Sequence, residues 1–586
     1  MSQAPTTDRN ALDALPTGNP PPKPKRMRFD WRKLRDPKTF IIVAVVLVIG
    51  YLSLVPLLYL LWGTFFDSTG LTGAAFERAY GTTGLGELVY NSMVFATGAT
   101  LVSVVMGTLL AFLTERTDVP LKRLIFAGSL IPLIIPGILY TIAWIFLASP
   151  RIGLINKWLE PFFGPGTFDV FTLYGMIIVQ GMDNAPLVFL LMVAAFRSMD
   201  PSLEESALMS GASLPHVFRK VTLPLAKPAL FAAFLIMAVK NIEAFETPAL
   251  LGMPKGIWVF TSRIWRVLST HPADYGQAGA YSISLLLITS LGIYFQTRYS
   301  RRGKQFQTVT GKGFRPRPMP LGRFRSLIGG ALLFYFFIAI VLPAFILLYM
   351  STQPFYQVPS IETMTNLSFE NYRYVFDHSQ TMRAFRNSFV LGISSATLVM
   401  FGTAVASWLV VRSKLPGRWM VDNLAFVPLV IPGLVLGVAL LFVYLRFPIA
   451  IYGTMWILLI SYVTRYMPYG MRYASTSMYQ IGGELEESAQ VSGATWWQTF
   501  RRINLPLLVP GLLAGWIYIV MTSVRELSSS ILLYSPGNEV LAVMIFEQYE
   551  NGQFTELAAL GTLLIVALVI LVYAAQRLGA NIGVKS

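Results

Sequence analysis

Glu205-Ser206-Ala207, three residues, Gly211, nine residues, then Val221-Thr222-Leu223-Pro224 form a short polar stretch between long apolar runs. The stretch returns 282 residues later as Glu487-Ser488-Ala489, Gly493 and Ile503-Asn504-Leu505-Pro506, with every spacing kept. A polar island that recurs between apolar runs implies a duplicated membrane unit. Each copy then presents the same surface to something soluble.

Outward from the islands the repeat continues. Asn91-Ser92 returns as Asn387-Ser388, Arg116 as Arg412, Pro120 as Pro416, and Ile135-Pro136-Gly137 as Ile431-Pro432-Gly433, all at an offset of 296. The change from 296 to 282 places about fourteen extra residues in the first copy, in the stretch from Arg151 to Phe171.

Composition sets the class. Of 586 residues, 54% are hydrophobic and only 13% charged, about half the ~25% of a soluble domain. Apolar runs of 18 or more residues recur, long enough as helices to cross a hydrocarbon core of about 30 Å. The chain therefore reads as an all-α polytopic membrane protein. The formal charge of +16 does not imply a nucleic-acid partner, because Arg and Lys gather beside apolar runs, as in cytoplasmic loops. With no cysteine, disulfides and thiolate chemistry are excluded. His216, His271 and His378 are too scattered to form a ligand set, so no metal site is expected.

Taken in order, residues 1–39 read as a disordered, basic, cytoplasmic N-terminus. Residues 40–297 form a first half with spans near 40–62, 92–113, 124–148, 172–196, 228–251 and 277–296. Residues 298–325, with nine Arg or Lys and no acid, read as a solvated cytoplasmic linker. Residues 326–576 form a second half, with spans near 327–350, 388–411, 423–445, 454–473, 507–533 and 557–575, before a tail at 577–586. Twelve spans put both islands and both termini on one basic side, the inside. An even number of spans separates the copies, so they are parallel repeats related by a pseudo-twofold along the membrane normal, and a solute path would lie on that axis.

Each island reads as helix, turn, helix. Asp200 can cap the first helix with Pro201 at its first position, and Glu204 and Glu205 favour its N-terminal turn. Gly211 permits a sharp turn, Ser213 and Thr495 can cap a second short helix, and Leu-Pro opens the next span. A pair of interfacial helices would account for Phe218, Phe500 and the neighbouring basic residues. It would not account for one spacing of Glu, small residue, Gly and Leu-Pro appearing twice.

Ionisable groups inside spans are expensive and point to function. Asp183 stands three residues before Pro186, where the second copy has Arg465 before Pro468. Glu243 corresponds to Arg525, with Glu246 and Glu526 close by and Lys240 one helical turn from Glu243, within pairing reach. Two readings stand side by side: ion pairs that pin the halves together, or a gate on the axis. The Ile-Pro-Gly pairs read as kinks that allow close helix contact. No G-x-x-x-x-G-K-[ST] or H-E-x-x-H occurs, so the chain has no P-loop with which to cradle nucleotide phosphates.

Both islands resemble the EAA motif of binding-protein-dependent ABC transporter permeases, with Ser206 and Ser488 where that family most often has Ala. The resemblance covers nearly the whole chain, twice over. It implies a type I ABC importer-like fold in which each island is a coupling helix seated on a cytoplasmic ATPase subunit. The coupling positions would be Glu205, Ala207, Gly211, Leu223 and Pro224, and Glu487, Ala489, Gly493, Leu505 and Pro506. Two motifs in one chain resemble the fused permeases of ferric iron importers, whose relatives handle thiamine, phosphonates and polyamines. The partners so implied are two copies of the ATPase, which would carry ATP and Mg, and a periplasmic or lipid-anchored binding protein at the bacterial inner membrane. The chain itself would bind no cofactor and perform no covalent chemistry. A gradient-driven secondary transporter could use Asp183 and Glu243 for ion coupling, but it has no need of matched islands. A membrane scaffold without transport would leave the paired charges purely structural.

Overall fold

The computed structural model describes residues 37–68, 70–81, 84–303, 318–413 and 417–581. The expected N-terminal disorder, Pro416, residues 304–317 of the expected linker and the end of the expected tail lie outside the described residues.

In hydrocarbon a backbone must satisfy its own polar groups, and the apolar runs do so as helices. Among the described residues, nine helices are long and apolar enough to cross a membrane. Two more expected spans are broken: Lys122–Leu133 meets Gly137–Ala148 at 103°, and Arg418–Val430 meets Gly433–Tyr444 at 107°. Among the described residues, apolarity supports nine spans, or eleven if each bent pair counts as one, against the expected twelve. The remaining candidate, Met455–Gln480, has the length, at 26 residues. It carries Arg465, Arg472 and a run of Tyr, Ser and Thr, and does not reach the apolarity of the others.

The bends fall at Ile-Pro-Gly, and they are corners rather than kinks. Pro136 and Pro432 are extended, with ψ of 137° and 144°, and each new helix begins at the following glycine. Proline's missing N–H and its ring bar the preceding helix from continuing. Each helix after the corner has 12 residues and reaches only about 18 Å, roughly half the core. Every side chain from Ile138 to Ala148 and every residue from Gly433 to Tyr444 is buried. Apolarity on all sides suits a helix enclosed by protein, and only such enclosure allows an irregular corner at membrane depth.

Each half has a three-helix centre. Leu85–Arg116 packs along Leu173–Ser198, with Leu223–Ile242 against both, and Ser379–Val411, Met455–Gln480 and Leu505–Val524 repeat the arrangement. The first helix of each half crosses to the other half. Pro37–Phe65 lies on Gly433–Tyr444, where Gly63 leaves room for the Phe442 ring and the Tyr51 and Tyr444 hydroxyls meet at 3.0 Å. Leu342–Ser351 lies in turn on Gly137–Ala148. The halves are thus braided together, and the corner helices are sealed by the exchange.

The Asn-Ser repeat has a capping role. Ser92 Oγ accepts the N–H of Phe260 at 3.1 Å and Ser388 Oγ that of Leu541 at 2.7 Å, each the first residue of a short helix. The extra residues of the first half include the helix Leu154–Phe163.

The expected linker is not solvated throughout. Helix Tyr275–Gly303 runs into it, and beyond the undescribed segment Met319 and Leu321 are buried. Met319 pairs with Thr117 in a parallel bridge, and the Asp118 carboxylate accepts the Leu321 N–H at 2.8 Å. This end of the linker is fastened to a loop of the first half.

Candidate functional site: a charged cavity between the halves

The spans expected near 228–251 and 507–533 end early, at Ile242 and Val524. Glu243 and Arg525 consequently cap those helices at equivalent places instead of sitting mid-span. Each early end leaves room for a cavity of about 280 Å³ on the boundary between the halves. Its lining includes all seven of the charges singled out from sequence, Asp183, Lys240, Glu243, Glu246, Arg465, Arg525 and Glu526.

Glu526 is the most fully bonded of them. Its Oε2 lies 3.1 Å from Arg465 Nε and accepts from the Tyr466 hydroxyl at 3.1 Å, while Oε1 accepts the Ser529 N–H at 3.1 Å. Arg525 bridges the halves, donating from Nη1 to the Leu133 carbonyl at 2.7 Å, just before the first corner. Among the described residues, no ion-pair contact joins Lys240 to Glu243, and neither Asp183 nor Glu246 forms one. The paired charges thus come from the second half, and the first half contributes Asp183, Lys240, Glu243 and Glu246 to a shared space. Among the described residues no three His, Cys, Asp or Glu side chains are placed to hold a metal ion together. The cavity is a lining of mixed charge and not a ligand sphere.

The corner glycines belong to this site. A Cβ on Gly137 would overlap Glu246 Oε2 and lie 3.4 Å from Asp183 Oδ2, and one on Gly433 would overlap the Arg465 guanidinium. Repeat-related corners therefore press on acids in one half and on a cation in the other.

Replacing Arg525 by alanine removes a charged hydrogen bond between halves, a class worth about 1.5–3 kcal/mol. Solute uptake is expected to fall by roughly tenfold while size-exclusion chromatography shows an intact complex. Unchanged uptake would return this cavity to a structural role.

At the other end of the site helices, the islands take one conformation twice. Helix Ser202–Met209 ends with Gly211 at φ 86°, and Glu484–Val491 with Gly493 at φ 82°. The Gly211 N–H reaches Leu208 O at 2.9 Å and that of Ala212 reaches Ala207 O at 3.1 Å; Gly493 to Gln490 and Ala494 to Ala489 repeat the pattern at 3.0 Å each. This is the Schellman termination, and it places the alanine and glycine of each motif at its C3 and C′ positions. A Cβ on either glycine would meet nothing within 4 Å, so the backbone angle is what requires glycine. Glu205, Glu487, Gly211 and Gly493 stand at or near the surface of the islands.

The capping expectations hold unevenly. Thr495 accepts the Gln498 N–H at 3.3 Å, whereas Ser213 occupies the matching cap position without a side-chain bond. The first island helix begins at Ser202, one residue later than expected, with Asp200 Oδ1 accepting the Ser202 N–H at 2.9 Å. Phe218–Thr222 and Phe500–Asn504 are wide helical turns, directly before Leu223-Pro224 and Leu505-Pro506. Pro224 and Pro506 cannot donate to the carbonyl four residues back, so the chain widens by one residue there.

The chain matches binding-protein-dependent transport system inner membrane components twice, over residues 100–304 and 398–581. It belongs to that family. It is the membrane-spanning permease of an ABC importer, with both halves in one chain, and in this family ATP hydrolysis falls to a separate subunit. Among its relatives are ferric transport system permease protein FbpB of Actinobacillus pleuropneumoniae, 25% identical across 91% of this chain and 77% of the relative. A putative ferric transport system permease protein FbpB 1 of Haemophilus influenzae is 26% identical across 86% of this chain and 79% of its own length. A bacterial alginate ABC transporter, solved in complex with its pentasaccharide-bound periplasmic protein, aligns with 45% of this permease and 97% of its own chain at 20% identity and a TM-score of 0.37.

Sequence reasoning collected the charges but missed what surrounds them. Tyr466, Tyr469 and Tyr518 also line the cavity, and Asn184, on the first-half counterpart helix, donates to Asn241 Oδ1 at 2.7 Å. The signal was present: Tyr462, Tyr466, Tyr469 and Tyr473 recur at helical spacing along one stripe of Met455–Gln480.

Proposed function

We propose that this permease passes ferric iron from a periplasmic or lipid-anchored binding protein to the cytoplasm, through the charged cavity on its pseudo-twofold axis. Both islands and both termini face the cytoplasm, and one ATPase subunit docks on each island, the pair carrying ATP and Mg. Glu205, Ala207, Gly211, Leu223 and Pro224, and their counterparts Glu487, Ala489, Gly493, Leu505 and Pro506, shape the docking elements. The cavity carries the reading of the path: seven ionisable groups from the expected spans, Asp183, Lys240, Glu243, Glu246, Arg465, Arg525 and Glu526, line one space shared by the two halves. Support for iron as cargo comes from relatives named as ferric permeases that align over about nine-tenths of the chain. Lacking a resident ligand set among the described residues, the cavity suits brief passage; selection falls to the binding protein.

The test is reconstitution of the permease with its ATPase and binding protein in lipid vesicles. ATP-dependent entry of ferric iron is expected, and entry of a phosphonate or polyamine in its place would overturn the cargo. Changing Gly211 and Gly493 together to tryptophan forces a side chain into left-handed backbone, a strain of roughly 1–2 kcal/mol at each site. The ATPase is then expected to be lost from the purified complex. Full retention of the ATPase would dismiss the islands as docking elements, and uptake driven by an ion gradient without ATP would favour a secondary transporter.

A further inference from the structure

An arginine–glutamate contact joins each island to the spans above it, buried on both sides in the first copy and with Arg412 19% exposed in the second. Arg116, the last residue of Leu85–Arg116, donates from Nη2 to the Phe196 and Met199 carbonyls at 2.7 and 2.9 Å, holding the end of Leu173–Ser198. Its Nε lies 3.5 Å from Glu204 Oε2, with the two side chains 3% and 2% exposed. The other Glu204 oxygen accepts the Thr222 hydroxyl at 2.6 Å, from the wide turn that opens the next span. In the second copy Arg412 donates from Nη2 to the Met478 carbonyl at 3.2 Å and to that of Ile481, and its Nε lies 3.2 Å from Glu486 Oε1. Glu486 Oε2 accepts from Trp408 Nε1 at 3.1 Å.

Two features set these pairs apart from ordinary helix ends. Burying opposite charges is costly unless they are well bonded, yet neither Arg116 Nε nor Arg412 Nε makes a hydrogen bond, and Glu486 Oε1 makes none either. The charges touch without an aligned N–H···O, in both copies. Asn504, the counterpart of Thr222, is likewise buried with both amide atoms unbonded. The spans that these arginines hold are also the cavity helices: Leu173–Ser198 carries Asp183, and Met455–Gln480 carries Arg465. One arginine fork therefore grips the island helix by its glutamate and the cavity helix by its terminal carbonyls.

We propose that Arg116–Glu204 and Arg412–Glu486 are positioning pairs that carry movement of the ATPase-bound islands to the charged cavity, the unaligned Nε–H groups closing onto their carboxylates when the islands shift. The proposal rests on the islands being the ATPase-docking elements. Glu204 and Glu486 stand one residue before the motif glutamates, and both are buried where Glu205 is half-buried and Glu487 exposed.

The experiment uses the full reconstituted complex and reads ATP hydrolysed per solute imported. One variant, Glu204→Gln with Glu486→Gln, keeps shape and loses charge; a second, Arg116→Lys with Arg412→Lys, keeps charge and loses the fork. Both are expected to retain the ATPase on purification while the ratio rises at least about fivefold, the lower end of coupling between sites. A ratio equal to that of the unaltered complex, including uptake and hydrolysis falling together, would overturn the proposal and leave the pairs as structural ties. If the glutamine variant does not assemble, the lysine variant decides between these outcomes. Failure of the docking reading would look different: the unaltered permease would then purify without an ATPase.

Discussion

Replacing Glu526 by alanine is expected to destabilise the permease by about 1.5–3 kcal/mol, the range for a hydrogen bond to a charged group. Arg465, 23% exposed, has Glu526 as its ion-pair partner at 3.1 Å, and Glu526 itself is 7% exposed. The loss reaches further than one pair, because Glu526 also receives the Tyr466 hydroxyl and the Ser529 N–H. Glu526→Gln keeps an acceptor for Tyr466 and should cost less. Thermal unfolding of the purified permease in detergent measures both. Arg465→Leu with Glu526→Leu separates structure from transport, since apolar replacements of a buried pair are often neutral or stabilising. That double variant is expected to recover the unfolding midpoint while uptake stays lost. Recovery of both would show that the pair only holds the helices together.

Gly433→Val is expected to reduce uptake by about tenfold or more, equivalent to at least ~1.4 kcal/mol in the transport barrier. A Cβ there would occupy the space of the Arg465 guanidinium, so Arg465 must leave Glu526 or the corner must open. Gly137→Val should act on the other side, where the overlap is with Glu246. Gly330→Ala is the control: it lies in helix Arg325–Phe336, where an added Cβ meets nothing within 4 Å, and alanine favours the helix by about 1 kcal/mol. Uptake by Gly433→Val equal to that of Gly330→Ala would separate the corner from the transport cycle.

Much of the site was legible because a duplicated chain marks its own equivalent positions. Asp183 against Arg465 and Glu243 against Arg525 were found by offset alone, and they do line one cavity. The offset could not show facing. Lys240, one turn from Glu243, looked like its partner, yet no contact within ion-pair distance forms. Glu204 read as a helix-dipole residue, and its burial against Arg116 could not be seen until Leu85–Arg116 and Ser202–Met209 were brought together. In the sequence, Arg116 and Arg412 are only markers of the repeat.

The membrane class, the duplication, the two islands and the set of intramembrane charges are all readable along the chain. These follow from composition and from spacing along the chain, which need no knowledge of how the helices pack. Tertiary structure decided that the third and ninth expected spans turn corners at Pro136 and Pro432, and that the first helix of each half is exchanged. It also decided that Glu243 and Arg525 cap helices at the rim of a cavity. The reason is that lipid and protein interior are equally apolar, so hydropathy cannot tell a helix that faces lipid from one enclosed by its neighbours. A nine-residue helix, a corner and a twelve-residue helix then read as one ordinary span.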